Sequence, residues 1–141
     1  LDNLLPSVDI VLDCTDNFKT RQMINASCVK HQKPLVSGSA LRFDGQVSVF
    51  DPRQHQSPCY ACIFSPDETF EEVSCASMGI FSPLVGIIGA IQAAQALQVL
   101  IQFGQPLVGR MLLWNARTTQ VDQIRIARNP DCPVCGKKYT N

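Results

Sequence analysis

An excess of charge of either sign is missing from this sequence: twelve basic side chains meet twelve acidic ones, and the net charge is zero. A chain without a basic field has little means of holding a nucleic-acid backbone or an anionic lipid surface, so neither is expected as a partner. A Gly-rich phosphate loop is missing too. "SGSALRFDG" (37–45) carries only two glycines, so any cradle for nucleotide phosphates is expected elsewhere. No secretory signal opens the chain, which enters the strand-like run "LDNLLPSVDIVLDC" almost at once. It reads as a piece cut from a longer chain, whose upstream residues hold part of the chemistry. Extended disorder is not expected at 45% hydrophobic residues, and 141 residues suffice for one domain with a buried core.

What is present in excess is cysteine. Seven is an odd and large number for this length. Four form two close pairs, Cys59/Cys62 and Cys132/Cys135, separated by 69 residues. Two residues between ligands let both sulfurs of a pair reach one ion at about 2.3 Å, and two such pairs complete a tetrahedral zinc site. Pro133 and Gly136 suit the tight turn of a knuckle. Four thiolates leave no open position for catalysis, so the zinc is expected to be a structural staple. Two redox pairs or two disulfides are the alternatives. Paired cysteines without a secretory signal favour metal and a reducing compartment, the cytoplasm. Cys14, Cys28 and Cys75 stand alone.

Along the chain, "VDIVLDC" (8–14) predicts a strand buried on both faces. Residues 15–32 predict a helix, with Met23, Ile24, Cys28 and His31 recurring at helical spacing and Asp16 or Asn17 as its cap. "PLVSGSA" (34–40) predicts the next strand, so the start is a Rossmann-like βαβ unit with parallel strands. "LRFDGQVSVFD" (41–51) continues as an extended strand or hairpin, and "RMLLWNA" and "QVDQIRIA" form two further strands joined by a tight turn. The fold class is therefore α/β, with a βαβ start passing into mixed and antiparallel strands and a four-cysteine zinc knuckle.

Residues 73–109 carry no charge, and Pro83 can open a helix there that runs to about Phe103. Such a run raises the question of a membrane span. Gln92, Gln95, Gln98 and Gln102 fall on one stripe of that helix. A lipid-facing helix has no use for a row of amides, so a helix buried against a sheet or a partner subunit is expected, and no membrane.

"DCTDN" sits where the first strand ends and the helix begins. Ligands of open parallel sheets bind beyond the carboxyl ends of strands. A carboxylate there can hold Mg²⁺ together with substrate phosphates, or it can merely cap the helix. Arg21, one turn on, is either a phosphate contact or a solvated helix charge, and the sequence by itself favours the second.

Taken together, "DIVLDCTDNFKTRQMINASCV", "PLVSGSALRFDGQVSVF", "PCYAC", "GIFSPLVGIIGAIQAAQAL" and "NPDCPVCG" resemble the ThiF/MoeB/HesA family, bacterial relatives of ubiquitin-activating enzymes. The matching segments are colinear and cover Val8 to Gly136. The resemblance implies an enzyme that binds ATP and Mg²⁺ and attaches AMP to the C-terminal Gly-Gly carboxylate of a ubiquitin-like sulfur-carrier protein. The adenylate then becomes a thiocarboxylate with help from a sulfur donor, in thiamine or molybdopterin biosynthesis. Asp16 matches the family aspartate that organises Mg²⁺ and ATP, and Asn17 and Arg21 match the rest of that cofactor-binding motif. Cys59, Cys62, Cys132 and Cys135 match the zinc ligands. Cys75 falls where several members carry a cysteine on a mobile loop; a thiolate there can attack an acyl adenylate or a persulfide, or the thiol is structural or spare. The Gly-rich nucleotide-binding half of the family has no counterpart here. Residues 1–141 thus resemble the C-terminal part of an adenylating domain, inactive alone, and a homodimer is implied. The competing expectation is a non-catalytic, zinc-stapled binding module that holds a carrier by strand pairing along "QVSVF".

Overall fold

The computed structural model describes residues 1–67 and 78–136. After a 3-10 turn at Leu5–Ser7, strand β1 (Val11–Asp13) leads through helix α1 (Phe18–Lys30) into strand β2 (Leu35–Leu41). β1 and β2 pair in parallel, with Leu12 opposite Val36, which is the expected βαβ start. The chain then reverses through Arg42 and Phe43 into β3 (Asp44–Phe50), antiparallel to β2. A short helix α2 (Tyr60–Ile63) and a long helix α3 (Ser82–Ile101) precede a second hairpin, β4 (Arg110–Asn115) and β5 (Gln120–Arg125). The sheet is mixed, in the order β1-β2-β3-β4-β5.

Two apolar layers flank this sheet. On one face α3 lies over β2 and β3, burying Leu84, Ile88 and Ala96 against Val36, Val47 and Val49. Each fully buried aliphatic side chain of this kind contributes about 1.5–3 kcal/mol. On the other face Cys28 of α1 and Tyr60 of α2 meet Leu35, Phe50, Met111 and Ile126. Period-two alternation along β2 and β3 is what lets one strand serve both layers.

Three details differ from the sequence expectation. β1 is only three residues long, and Leu12 is 42% exposed. α3 packs mainly over β2 and β3. In α1, Met23 is exposed, and the buried side is Arg21, Asn25, Ser27 and Cys28. That side is polar because it covers strand ends and a thiol cluster, where carbonyls and backbone amides need partners. In α3 the amide stripe does face the protein: Gln92 and Gln95 are buried, while Gln102 ends the helix in a left-handed conformation. Gln95 Oε1 accepts from the Leu107 amide at 2.7 Å. The helix is long and apolar enough to cross a membrane. Its far side, with Val85, Leu97, Leu100 and Ile101, is exposed.

Candidate metal centre and strand-end site

The four paired cysteines converge. Their sulfurs all lie within 4.8 Å of one another, the only such metal-capable group among the described residues. Cys59 and Cys132 are 3.6 Å apart, Cys62 and Cys135 3.3 Å, and Cys59 and Cys62 3.9 Å. Four thiolates on one zinc at about 2.3 Å would stand roughly 3.8 Å apart. The donor set and spacing therefore fit a tetrahedral ion, and they join the two knuckles in one site rather than leaving two separate redox pairs.

Local structure explains the convergence. Cys59 caps α2, its backbone amide facing the Cys62 sulfur at 3.4 Å. In the second knuckle the Val134 amide faces Cys132 Sγ at 3.5 Å, and the Gly136 amide donates to the Cys132 carbonyl at 2.9 Å. A Cβ on Gly136 would lie 2.5 Å from that carbonyl oxygen, so only glycine closes this turn. Three of the sulfurs belong to buried residues. Hydrogen bonds from Cys135 and then Cys59 hold the Cys62 thiol far down, at about 2. Bonds from Cys135 and Cys62, then burial, push Cys59 far up. Crowded thiols without a cation cannot all ionise; a dication removes that conflict.

Two residues outside the motif brace the cluster. Asn25 of α1 accepts from the Tyr60 amide at 2.8 Å and donates toward Cys59 Sγ at 3.7 Å. Arg128 donates to the His55 carbonyl at 2.6 Å and to the Cys135 carbonyl. Neither was singled out from sequence. For Asn25 the signal was its i, i+4, i+7 spacing with Arg21 and Cys28.

At the carboxyl end of β1, Asp13 is 1% exposed, and its Oδ1 accepts from the Thr15 amide at 2.9 Å and hydroxyl at 2.7 Å. Asn17 caps α1, accepting from the Thr20 amide at 2.8 Å. Asp16 is thus spared the capping role; it is exposed and makes no hydrogen bond or ion pair among the described residues. Arg21 is not a solvated helix charge. It is 7% exposed, faces Asp13 at 3.6 Å, and donates to Ser37 Oγ at 3.3 Å, to the Gly38 carbonyl at 2.9 Å and to the Thr15 carbonyl. A free carboxylate therefore stands on a turn whose neighbours are all tied down.

Cys75 lies outside the described residues. Strand pairing along "QVSVF" is not available to a partner, because β3 is hydrogen-bonded to β2 on one side and β4 on the other.

Comparison with known proteins follows the same lines. The model of the ThiF family matches residues 1–134. The chain is 40% identical over 139 residues to the molybdopterin-synthase adenylyltransferase of Salmonella typhimurium, covering 97% of this chain and 54% of that protein. It is 43% identical over 141 residues to the sulfur carrier protein adenylyltransferase of Thermus thermophilus, covering 97% and 52%. The chain thus spans about half the length of these relatives. Among solved structures, Escherichia coli MccB with ATP superposes with a TM-score of 0.73 at 18% identity, over 96% of this chain and 43% of that one. At that identity the likeness concerns the fold.

Proposed function

From the premise that this chain belongs to the ThiF family, we propose that it is the C-terminal part of an adenylating domain. The whole protein would use ATP to adenylate the C-terminal Gly-Gly carboxylate of a ubiquitin-like sulfur carrier, in molybdopterin or thiamine biosynthesis. The Gly-rich half of a Rossmann-like nucleotide unit would come from upstream residues, so the chain alone is inactive on this reading.

One observation carries the proposal. Asp16 stands unpaired and exposed beyond the carboxyl end of a parallel strand, where α/β sheets bind ligands, while Asn17 caps the helix. Asp16 would hold Mg²⁺, which when bound offsets charge on the phosphates of ATP. Asn17 and Arg21 would serve the same site by fixing the turn that carries Asp16. Cys59, Cys62, Cys132 and Cys135 would hold a structural zinc. Cys75 would be the nucleophile in any covalent sulfur step, with a sulfur-donor protein as a further partner. The exposed apolar side of α3 suits a homodimer. A cytoplasmic location agrees with reduced, metal-holding cysteines.

The test is carrier-dependent ATP–pyrophosphate exchange in the full-length protein. Asp16→Ala is expected to lower it by at least about a hundredfold, with metal content and melting temperature retained. Undiminished exchange in that variant would remove Asp16 from the site.

A further inference from the structure

Gln92 is 3% exposed near the middle of α3, and its amide reaches the carboxyl end of β1 and the start of its parallel neighbour β2. Nε2 donates to the Asp13 carbonyl of β1 at 2.9 Å and to the Val36 carbonyl of β2 at 3.2 Å. Oε1 accepts from the Cys14 thiol at 3.6 Å. Carbonyls only accept, so the NH₂ end must face them and the oxygen is left for the thiol. One side chain thereby clasps both strands at the point where the chain leaves β1.

Gly38 makes room for it. A Cβ there would lie 2.2 Å from the amide carbon and oxygen of Gln92. An apolar side chain at 92 would bury as readily as its neighbours Ile88 and Ala96 do, whereas a buried amide costs free energy unless it is bonded. What the amide adds is its set of bonds to the Asp13 and Val36 carbonyls of the two strands. From the opposite layer Arg21 holds the carbonyls of Thr15 and Gly38. The turn from Cys14 to Asn17 is held by one buried polar side chain from each helical layer.

We propose that Gln92 is a positioning residue for the strand-end site: it fixes Asp13 and Cys14 so that the turn presents Asp16 at one place. Gln92 touches no substrate and acts through the turn. This inference rests on the adenylating role proposed for Asp16, and the experiment separates the two. In the full-length protein, hydrogen exchange of the amides in 14–17 and in β4 is compared between wild type and Gln92→Met, alongside the Mg²⁺ dependence of carrier-dependent ATP–pyrophosphate exchange. Expected are about tenfold faster hydrogen exchange confined to 14–17, the factor carried by one lost buried hydrogen bond, and a Mg²⁺ midpoint raised by a similar factor. Unchanged protection at 14–17, an unchanged Mg²⁺ midpoint in an active enzyme, or loosening spread evenly over the sheet overturns the proposal. If Gln92→Met does not fold, Gln92→Leu, which is apolar and carries no donor, takes its place. Failure of both to fold assigns Gln92 to the core and also overturns it. If the wild type shows no nucleotide exchange, or Asp16→Ala leaves it intact, the adenylating role falls by itself. Gln92 is then judged on the hydrogen-exchange arm.

Discussion

Asn25 Oδ1 lies 2.8 Å from the backbone nitrogen of Tyr60, so a side chain of α1 holds the first turn of the helix that carries Cys59 and Cys62. Replacing it with leucine keeps the branched shape and leaves a buried amide hydrogen without a partner. Asn25→Leu is expected to lower stability by about 1–3 kcal/mol, measured by urea unfolding. It is also expected to weaken metal retention, measured as the chelator concentration that strips half the metal. Unchanged values for both would show that the contact contributes nothing.

The convergence of four sulfurs predicts one zinc per chain by elemental analysis. Chelation, or Cys132→Ser, is expected to lower the melting temperature by about 10 °C or more, because metal binding at a closed site is folding free energy. A protein that purifies without metal and melts no lower after chelator treatment contradicts this.

How much of this was legible in the sequence follows from how far each signal reaches. The knuckles were readable because ligand spacing is a local property of each pair, and the parallel βαβ start because apolar runs and helix caps are local as well. The polar part of the buried side of α1 was legible only as a spacing of Arg21 and Asn25 with Cys28, without its partners. Arg21 is buried because Gly38 and Ser37 present acceptors to it, and Asn25 because the Tyr60 amide presents a donor. Those partners are 12 or more positions away in sequence, and periodicity says nothing about them. The amide stripe of α3 was visible as a pattern, yet the acceptors of Gln92 on β1 and β2 emerge only when the sheet is assembled.

Gly45 on β3 sits under α3. A Cβ there would lie 2.5 Å from the Ile88 terminal methyl and 3.1 Å from a Leu84 methyl. Gly45→Ala is therefore an overpacking change, expected to cost about 1–3 kcal/mol in thermal unfolding. Pairing Gly45→Ala with Ile88→Val, which vacates the space, is expected to recover part of that loss. If the double variant is no better than the single, the contact does not set the cost.

Asp51 gives a pH signature. Burial raises its pKa, and the hydrogen bonds from Arg53, followed by Gln54, outweigh this and leave it lowered. A carboxyl with a depressed folded pKa contributes stability above its unfolded value of about 3.9, and that stability is lost as pH falls through the folded pKa. Asp51→Asn is therefore expected to be less stable than wild type at pH 7 by about 1–2 kcal/mol. The gap should shrink below about pH 4. Parallel stability curves for the two proteins between pH 7 and pH 3 would exclude Asp51 as the group responsible.

The two halves of the sulfur cluster are separated in sequence by all of α3, β4 and β5. During synthesis the first pair leaves the ribosome long before the second, so only two of the four sulfurs are available while the intervening chain is being made. Closing so long a loop costs entropy that grows slowly with length. Full coordination of an ion held by all four sulfurs would therefore be possible only after the second hairpin has been made. An ion bound there would thus tie its own retention to a chain finished through its second knuckle.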